Sequence, residues 1–133
     1  MIGEVPEGVR VKGYFTGGNI TGPTVFGKLR PVGGDWLTVR RDGVGIIDVK
    51  TTAETNDGAL LYITYSGIID FGPTGYTDFL AGKPPVNGIA LRTNPKVSTS
   101  HPNYVWLNRL HCFGVGGAFL DRSEVAYDVY AVI

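Results

Sequence analysis

Three ionisable residues, Asp35, Asp48 and Lys50, fall within the stretch RPVGGDWLTVRRDGVGIIDVK at 30–50. A carboxylate and an amine held in a low-dielectric site shift their pKa values towards neutrality and can exchange protons with a bound molecule. The stretch reads as a β-hairpin, because Asp-Gly between β-branched and aromatic residues is a strong hairpin signal. With a two-residue Asp42-Gly43 turn, Arg41 faces Val44, Val39 faces Ile46, Leu37 faces Asp48 and Asp35 faces Lys50. Opposed residues point to one side of a sheet. This register predicts a cross-strand Asp35–Lys50 ion pair, with Asp48 diagonal to it, on a face shared with Leu37, Val39 and Ile46. Such a group is either acid–base machinery in a pocket or a structural pair closing the end of a core. The other face carries Trp36, Thr38, Arg40, Ile47, Val49 and Thr51, and is half apolar too. At the next turn, TNDGAL, a two-residue connection sets Lys50 against Tyr65 and a three-residue one sets it against Thr64.

Other residues could complete a site. Arg92 could clamp a carboxylate, polarise a carbonyl, or pair with Asp35 or Asp48. If YVWLNRLHCF is a strand, Tyr104, Trp106, Asn108, Leu110 and Cys112 share a face. Asn108 then points inward, and a buried amide needs backbone, water or a ligand as its partner. Tyr104, Trp106 and Asn108 make either a pocket wall or plain packing. Tyr65 and Tyr62 read as core or rim residues. Other chemistries fail. His111 and Cys112 are adjacent and would point to opposite faces, so they form no local dyad. With His101 the only other histidine, a histidine-rich metal site is not expected. The run GVGGAF at 114–119 lacks the Lys-Ser/Thr of a phosphate loop and reads as a strand end entering a flexible turn.

The elements that must position these residues are strands. The chain has 133 residues, one domain's worth, with 20 glycines and eight prolines spread throughout. No stretch holds a 3.6-residue period. Short alternating runs predict strands at 9–16, 23–29, 36–41, 44–52, 59–66, 88–93, 96–100, 104–115 and 124–132. So many strands expose edges unless the sheet closes, which predicts a single all-β domain over 1–133, a closed antiparallel barrel of about eight to ten strands, with a β-sandwich as the alternative. Segment 68–88, rich in Gly and Pro, reads as a loop or lid over one end with at most a short helix. Twelve basic and twelve acidic residues cancel, and no basic stripe appears, which argues against nucleic acid. No signal peptide or membrane-length apolar run is seen, and the single cysteine forms no internal disulfide, so a cytoplasmic protein is expected. Because both faces of 36–52 carry apolar side chains, a homodimer covering an outer face is expected.

The motifs GGDW (33–36), RDG (41–43), DVK (48–50), DGAL (57–60), LRTNP (91–95), YVWLN (104–108) and VAYDVY (125–130) occur in that order over nearly the whole chain. Together they resemble the small-protein family catalogued as domain of unknown function 3237. The resemblance implies a compact antiparallel β-barrel of lipocalin-like or allene-oxide-cyclase-like type, often dimeric. It implies recurring polar residues at Asp35, Arg40, Asp48, Arg92 and Asn108, with Trp36 and Trp106 beside them. Lys50 stands where the family usually has arginine, GIAL replaces aromatics before Arg92, and Ser98 replaces a common acidic residue. A substrate therefore does not transfer from a relative.

The resulting expectation is a cofactor-free enzyme of isomerase, cyclase or lyase type, acting on a small, largely apolar molecule with a carbonyl or hydroxyl. Asp35 is the base, Lys50 its modulator or the acid, and Trp36, Arg40, Asp48, Tyr65, Arg92, Tyr104, Trp106 and Asn108 are the candidate binding residues; no metal is expected. The rivals are a non-catalytic carrier or sensor and a filled structural barrel.

Overall fold

The DG turns set the register of the whole sheet, and both are longer than two residues. The computed structural model describes residues 1–86 and 88–133. Gly43 N–H donates to Arg40 O, and Arg40 N–H to Val44 O, so the first turn is a three-residue loop. Gly43 occupies it at φ +91°, and a Cβ there would sit 1.8 Å from Gly72 O. The second turn repeats the pattern, with Gly58 N–H donating to Thr55 O and Thr55 N–H to Ala59 O. A type I turn followed by a left-handed glycine accounts for both.

Among the described residues ten strands form one antiparallel sheet. They are β1 (Gly3–Val5), β2 (Gly8–Tyr14), β3 (Gly18–Ile20), β4 (Gly27–Val39), β5 (Val44–Thr55), β6 (Leu60–Asp70), β7 (Ile89–Thr93), β8 (Lys96–Ser98), β9 (His111–Phe119) and β10 (Glu124–Val132). A short helix, α1 (Gly75–Leu80), follows β6. The order is β1-β2-β4-β5-β6-β7-β9-β10, with β3 on β4 and β8 on β6. The expected all-β antiparallel architecture is present. The expected closure is not: among the described residues no ladder joins β10 back to β1 or β2. The sheet nevertheless curls. Tyr65 of β6 and Tyr127 of β10 are three strands apart in the order, yet their ring centroids lie 5.4 Å apart. Strands about 4.8 Å apart in a flat sheet would hold those residues much further away.

One face of the sheet builds the core: Val9, Val39, Ile47, Val49, Ala53, Leu61, Ile63, Ile69, Leu91 and Ala118 are all buried. Phe71 and Phe79 stack edge-on at 4.8 Å, and through them α1 seals part of that core. The loop expected at 68–88 is thus partly structured, with its first residues inside β6; Asn87 lies outside the described residues. The strand expected at 104–115 is corrected. Residues Val105–Arg109 form a 3₁₀ helix, and β9 begins only at His111. GVGGAF is strand, not turn, since it lies within β9.

Two irregularities matter later. β6 pairs with β8 through Tyr62–Thr64 and with β7 through Gly67–Ile69, leaving Tyr65 and Ser66 in neither ladder. There Asn94 takes over: its main-chain N–H donates to Ser66 O at 3.0 Å, and its Oδ1 accepts from Ser66 N–H at 3.0 Å and from Ser66 Oγ at 2.8 Å. The other is β10, whose outer edge pairs with no strand among the described residues and whose Val125, Val129, Tyr130 and Val132 are exposed. No helix among the described residues is long and apolar enough to cross a membrane.

Candidate functional site

The longer first turn moves β4 one residue against β5. Val39 now faces Gly45, and Asp35 faces Val49 rather than Lys50. A one-residue slip sends a strand's side chains to the other face. The expected Asp35–Lys50 pair is therefore not formed. Asp48 and Lys50 lie on the outer face, where they meet each other at 3.4 Å with side chains 58% and 54% exposed. A pair so exposed contributes about 0–1 kcal/mol. Lys50 Nζ also sits 5.9 Å from the Trp36 ring, and Lys12 Nζ 5.2 Å from it. Lys50 is thus removed from the group around Asp35.

Asp35 stays with the buried face. Gly13, Asp35, Val49 and Tyr65 stand side by side across β2, β4, β5 and β6. The carboxylate accepts the Asp48 backbone N–H at 3.0 Å. Among the described residues no salt bridge reaches it and no lysine or arginine is buried. Burial disfavours the charged form and raises the Asp35 pKa from 3.8 to about 6; the Asp48 N–H bond opposes this and the Asp48 charge adds to it. Tyr65 is raised by burial first, then by Tyr127 and by the charge of Asp35. Tyr127 is raised by burial, against a hydrogen bond with Tyr65.

Thr93 completes this file of polar groups. Its Oγ1 is buried and has no hydrogen-bond partner among the described residues. A Cβ added to Gly114 would lie 2.3 Å from Thr93 Oγ1 and 3.0 Å from the Tyr127 ring, so both converge on one glycine of β9. Asp35 and Tyr65 thus share a row with Val49 between them, Tyr65 meets Tyr127, and Tyr127 and Thr93 converge on Gly114. A depression of about 180 Å³ is lined by Asp48, Val49, Thr64, Tyr65, Ser66, Asn94 and Lys96. It opens where β6 changes partner.

Of the expected site residues, Asp35 and Tyr65 share the buried row. Trp36, Asp48 and Lys50 cluster on the outer face. Arg40 is held by Asp42, with Nε–Oδ1 at 3.0 Å and Nη2–Oδ2 at 2.7 Å, as an exposed pair within the turn. Arg92 is exposed and donates to Leu91 O at 2.8 Å. Tyr104 donates to Asp57 at 2.8 Å. Trp106 and Asn108 sit on the 3₁₀ turn, not on an inward strand. Trp106 donates to Asn103 O, and the Asn108 amide bonds both ways with the Thr99 backbone, at 2.8 and 2.9 Å. With Val105 and Arg109 they line an open concavity on that turn. The polar need of Asn108 is real, but backbone meets it. Sequence reasoning missed Tyr127 and Thr93; the signal was available in Gly114 and Gly116, alternate residues of β9 that leave room for a large neighbour.

A family model described as a protein of unknown function (DUF3237) matches residues 1–132. The chain belongs to this family. It is 36% identical over 133 residues to a UPF0311 protein of Rhodopseudomonas palustris strain TIE-1, covering 98% of this chain and 85% of the relative. A UPF0311 protein of Bradyrhizobium diazoefficiens is 37% identical, with the same coverage. The crystal structure of a conserved protein of unknown function from R. palustris superposes with a TM-score of 0.85 at 31% identity, covering 98% of this chain and 86% of that one. A "beta-barrel like protein" from Acinetobacter baumannii gives 0.80 at 29% identity, covering 97% and 82%.

Proposed function

We propose that this DUF3237 protein is a cofactor-independent enzyme of isomerase, cyclase or lyase type, whose curled sheet acts as a barrel around a small, largely apolar molecule with a carbonyl or hydroxyl. The observation that carries this is Asp35, a largely buried carboxyl that no salt bridge reaches among the described residues. A carboxyl raised to about 6 is poised to take and return a proton near neutral pH. Lys50 has no part in this reading, because it lies on the other face of the sheet. The alternative is a carrier that uses the same pocket without chemistry.

An NMR titration with neutral cyclic ketones and alcohols tests the binding half of this reading. Shifts should gather at Asp35, Tyr65, Thr93 and Tyr127, and Asp35→Asn should keep the binding while removing any turnover. Shifts confined to the outer lysines, or none, would refute the site. A second copy of the chain, also part of the proposal, finds its better seat on the exposed apolar residues of β10 than on the charged outer face of the hairpin.

A further inference from the structure

We propose that the depression at the β6 seam binds a small carboxylate bearing a hydroxyl on the neighbouring carbon, in a site separate from the Asp35 row. The strand pairing gathers its polar groups. Lys50 faces Thr64 and Thr64 faces Lys96 across β5, β6 and β8, while Asp48 faces Ser66 in the row beside them. Opposed residues point to one side of a sheet with their Cβ atoms about 5 Å apart, so these side chains stand together on the outer face. Asn94 joins them from the connection between β7 and β8. Asp48, Thr64, Ser66, Asn94 and Lys96 all line the depression of about 180 Å³. At about 30 Å³ per water, that space takes a molecule of roughly six heavy atoms.

Two features select the ligand. The first is an unbalanced charge. Lys50 is held by Asp48 at 3.4 Å, and no salt bridge reaches Lys96 among the described residues. Two ammoniums against one carboxylate leave one positive charge in excess, which a monoanion cancels. Lys12 and Lys50, at 5.2 and 5.9 Å from the Trp36 ring, extend the positive field of that face. The second is the Asn94 amide. Its Oδ1 must be the atom that meets Ser66, because a backbone N–H can only donate. Both hydrogen bonds of the side chain among the described residues end on that Oδ1, which leaves the amide N–H₂ group to donate elsewhere. Lys96 Nζ, the Asn94 N–H₂ and the Thr64 O–H thus offer three donors to a carboxylate. Ionised Asp48 only accepts. It repels a second carboxylate and takes the proton of a hydroxyl, while the lysines repel an amine. A 2-hydroxycarboxylate meets all of these demands.

Amide NMR titrations with sodium lactate, against sodium chloride at equal ionic strength, test the assignment. Lactate should move the signals of Thr64, Ser66, Asn94 and Lys96 to saturation. Sodium malonate and uncharged lactamide should bind more weakly, each by about tenfold or more. Lys96→Gln removes the charge from an exposed position and should weaken lactate by about tenfold. Asn94→Asp keeps the acceptor for Ser66 N–H but puts a carboxylate where the donor stood, and should weaken lactate at least as much. Shifts that do not saturate, or that chloride reproduces, would overturn the site. Lactate affinity unchanged in Lys96→Gln would do the same, since that variant leaves the bonds of the seam in place. Malonate binding more tightly than lactate, or lactamide binding equally well, would overturn the ligand class. None of these outcomes touches the proposed chemistry of Asp35, which is probed with neutral ketones.

Discussion

Asp35 and Lys50 belong to one hairpin, and each bears one charge, yet they live under different physics. Lys50 and its partner Asp48 are more than half exposed, and their contact is screened by water. Asp35 has no salt-bridge partner among the described residues and shares its row with Val49 and Tyr65. The outer pair keeps both charges at little cost or gain. The inner carboxyl must either give up its charge or be stabilised by something that enters. The difference teaches that burial, rather than the number of charged residues in a motif, decides where proton chemistry is available.

The strongest way to break the contrast is to disturb the turn that creates it. Gly43→Ala places a Cβ against Gly72 O and forces a side chain into φ +91°. Strain of this kind is expected to destabilise the protein by about 3 kcal/mol or more, measured by urea denaturation. A change below about 0.5 kcal/mol would mean that the three-residue turn does not fix the register.

The contrast sharpens with pH. Native Asp35 holds its proton up to about pH 6, whereas the unfolded carboxyl releases it near 3.8. Between those values the native state binds more protons, so stability falls as pH rises and levels off above about 6. At about 1.4 kcal/mol per unit, the loss is about 2–3 kcal/mol. Asp35→Asn keeps an acceptor for the Asp48 N–H and removes the titration. Urea melts of the two proteins should diverge in favour of the variant from pH 4 towards 6; parallel curves would contradict a buried carboxyl.

The smallest effect belongs to the outer face. Lys50→Ala should change stability by less than about 0.5 kcal/mol and leave the Asp35-dependent pH profile in place. A larger loss, or an altered profile, would show that Lys50 communicates with Asp35 after all.

The sheet was largely legible, because alternation and Asp-Gly turns are local signals. Register was not. Asp-Gly serves a two-residue turn with both residues at positive φ and also a three-residue loop with only the glycine there, and the flanking alternation fits either. That single residue decided whether Asp35 met Lys50 or Val49. The stretch at 104–109 failed for another reason. Its alternation imitates a strand, but Asn108 and Trp106 spend their polar atoms on nearby backbone, which holds a tight turn. Thr93 and Tyr127 were hidden because their roles arise from strands distant in sequence, joined only when the sheet curls.

The change of partner along β6 has one more consequence. A sheet held all along by main-chain ladders can part only by unzipping several bonds together. At Ser66 this one is fastened by a single residue, Asn94, through one main-chain bond and its side-chain Oδ1, beside the depression lined by Tyr65. A rotation about the Asn94 side chain is a nanosecond-scale event, whereas loss of a ladder is local unfolding. When the Asn94 side chain turns, one main-chain bond to Ser66 is left at the seam, which makes it the weakest point of the wall while the strands on either side keep their pairing.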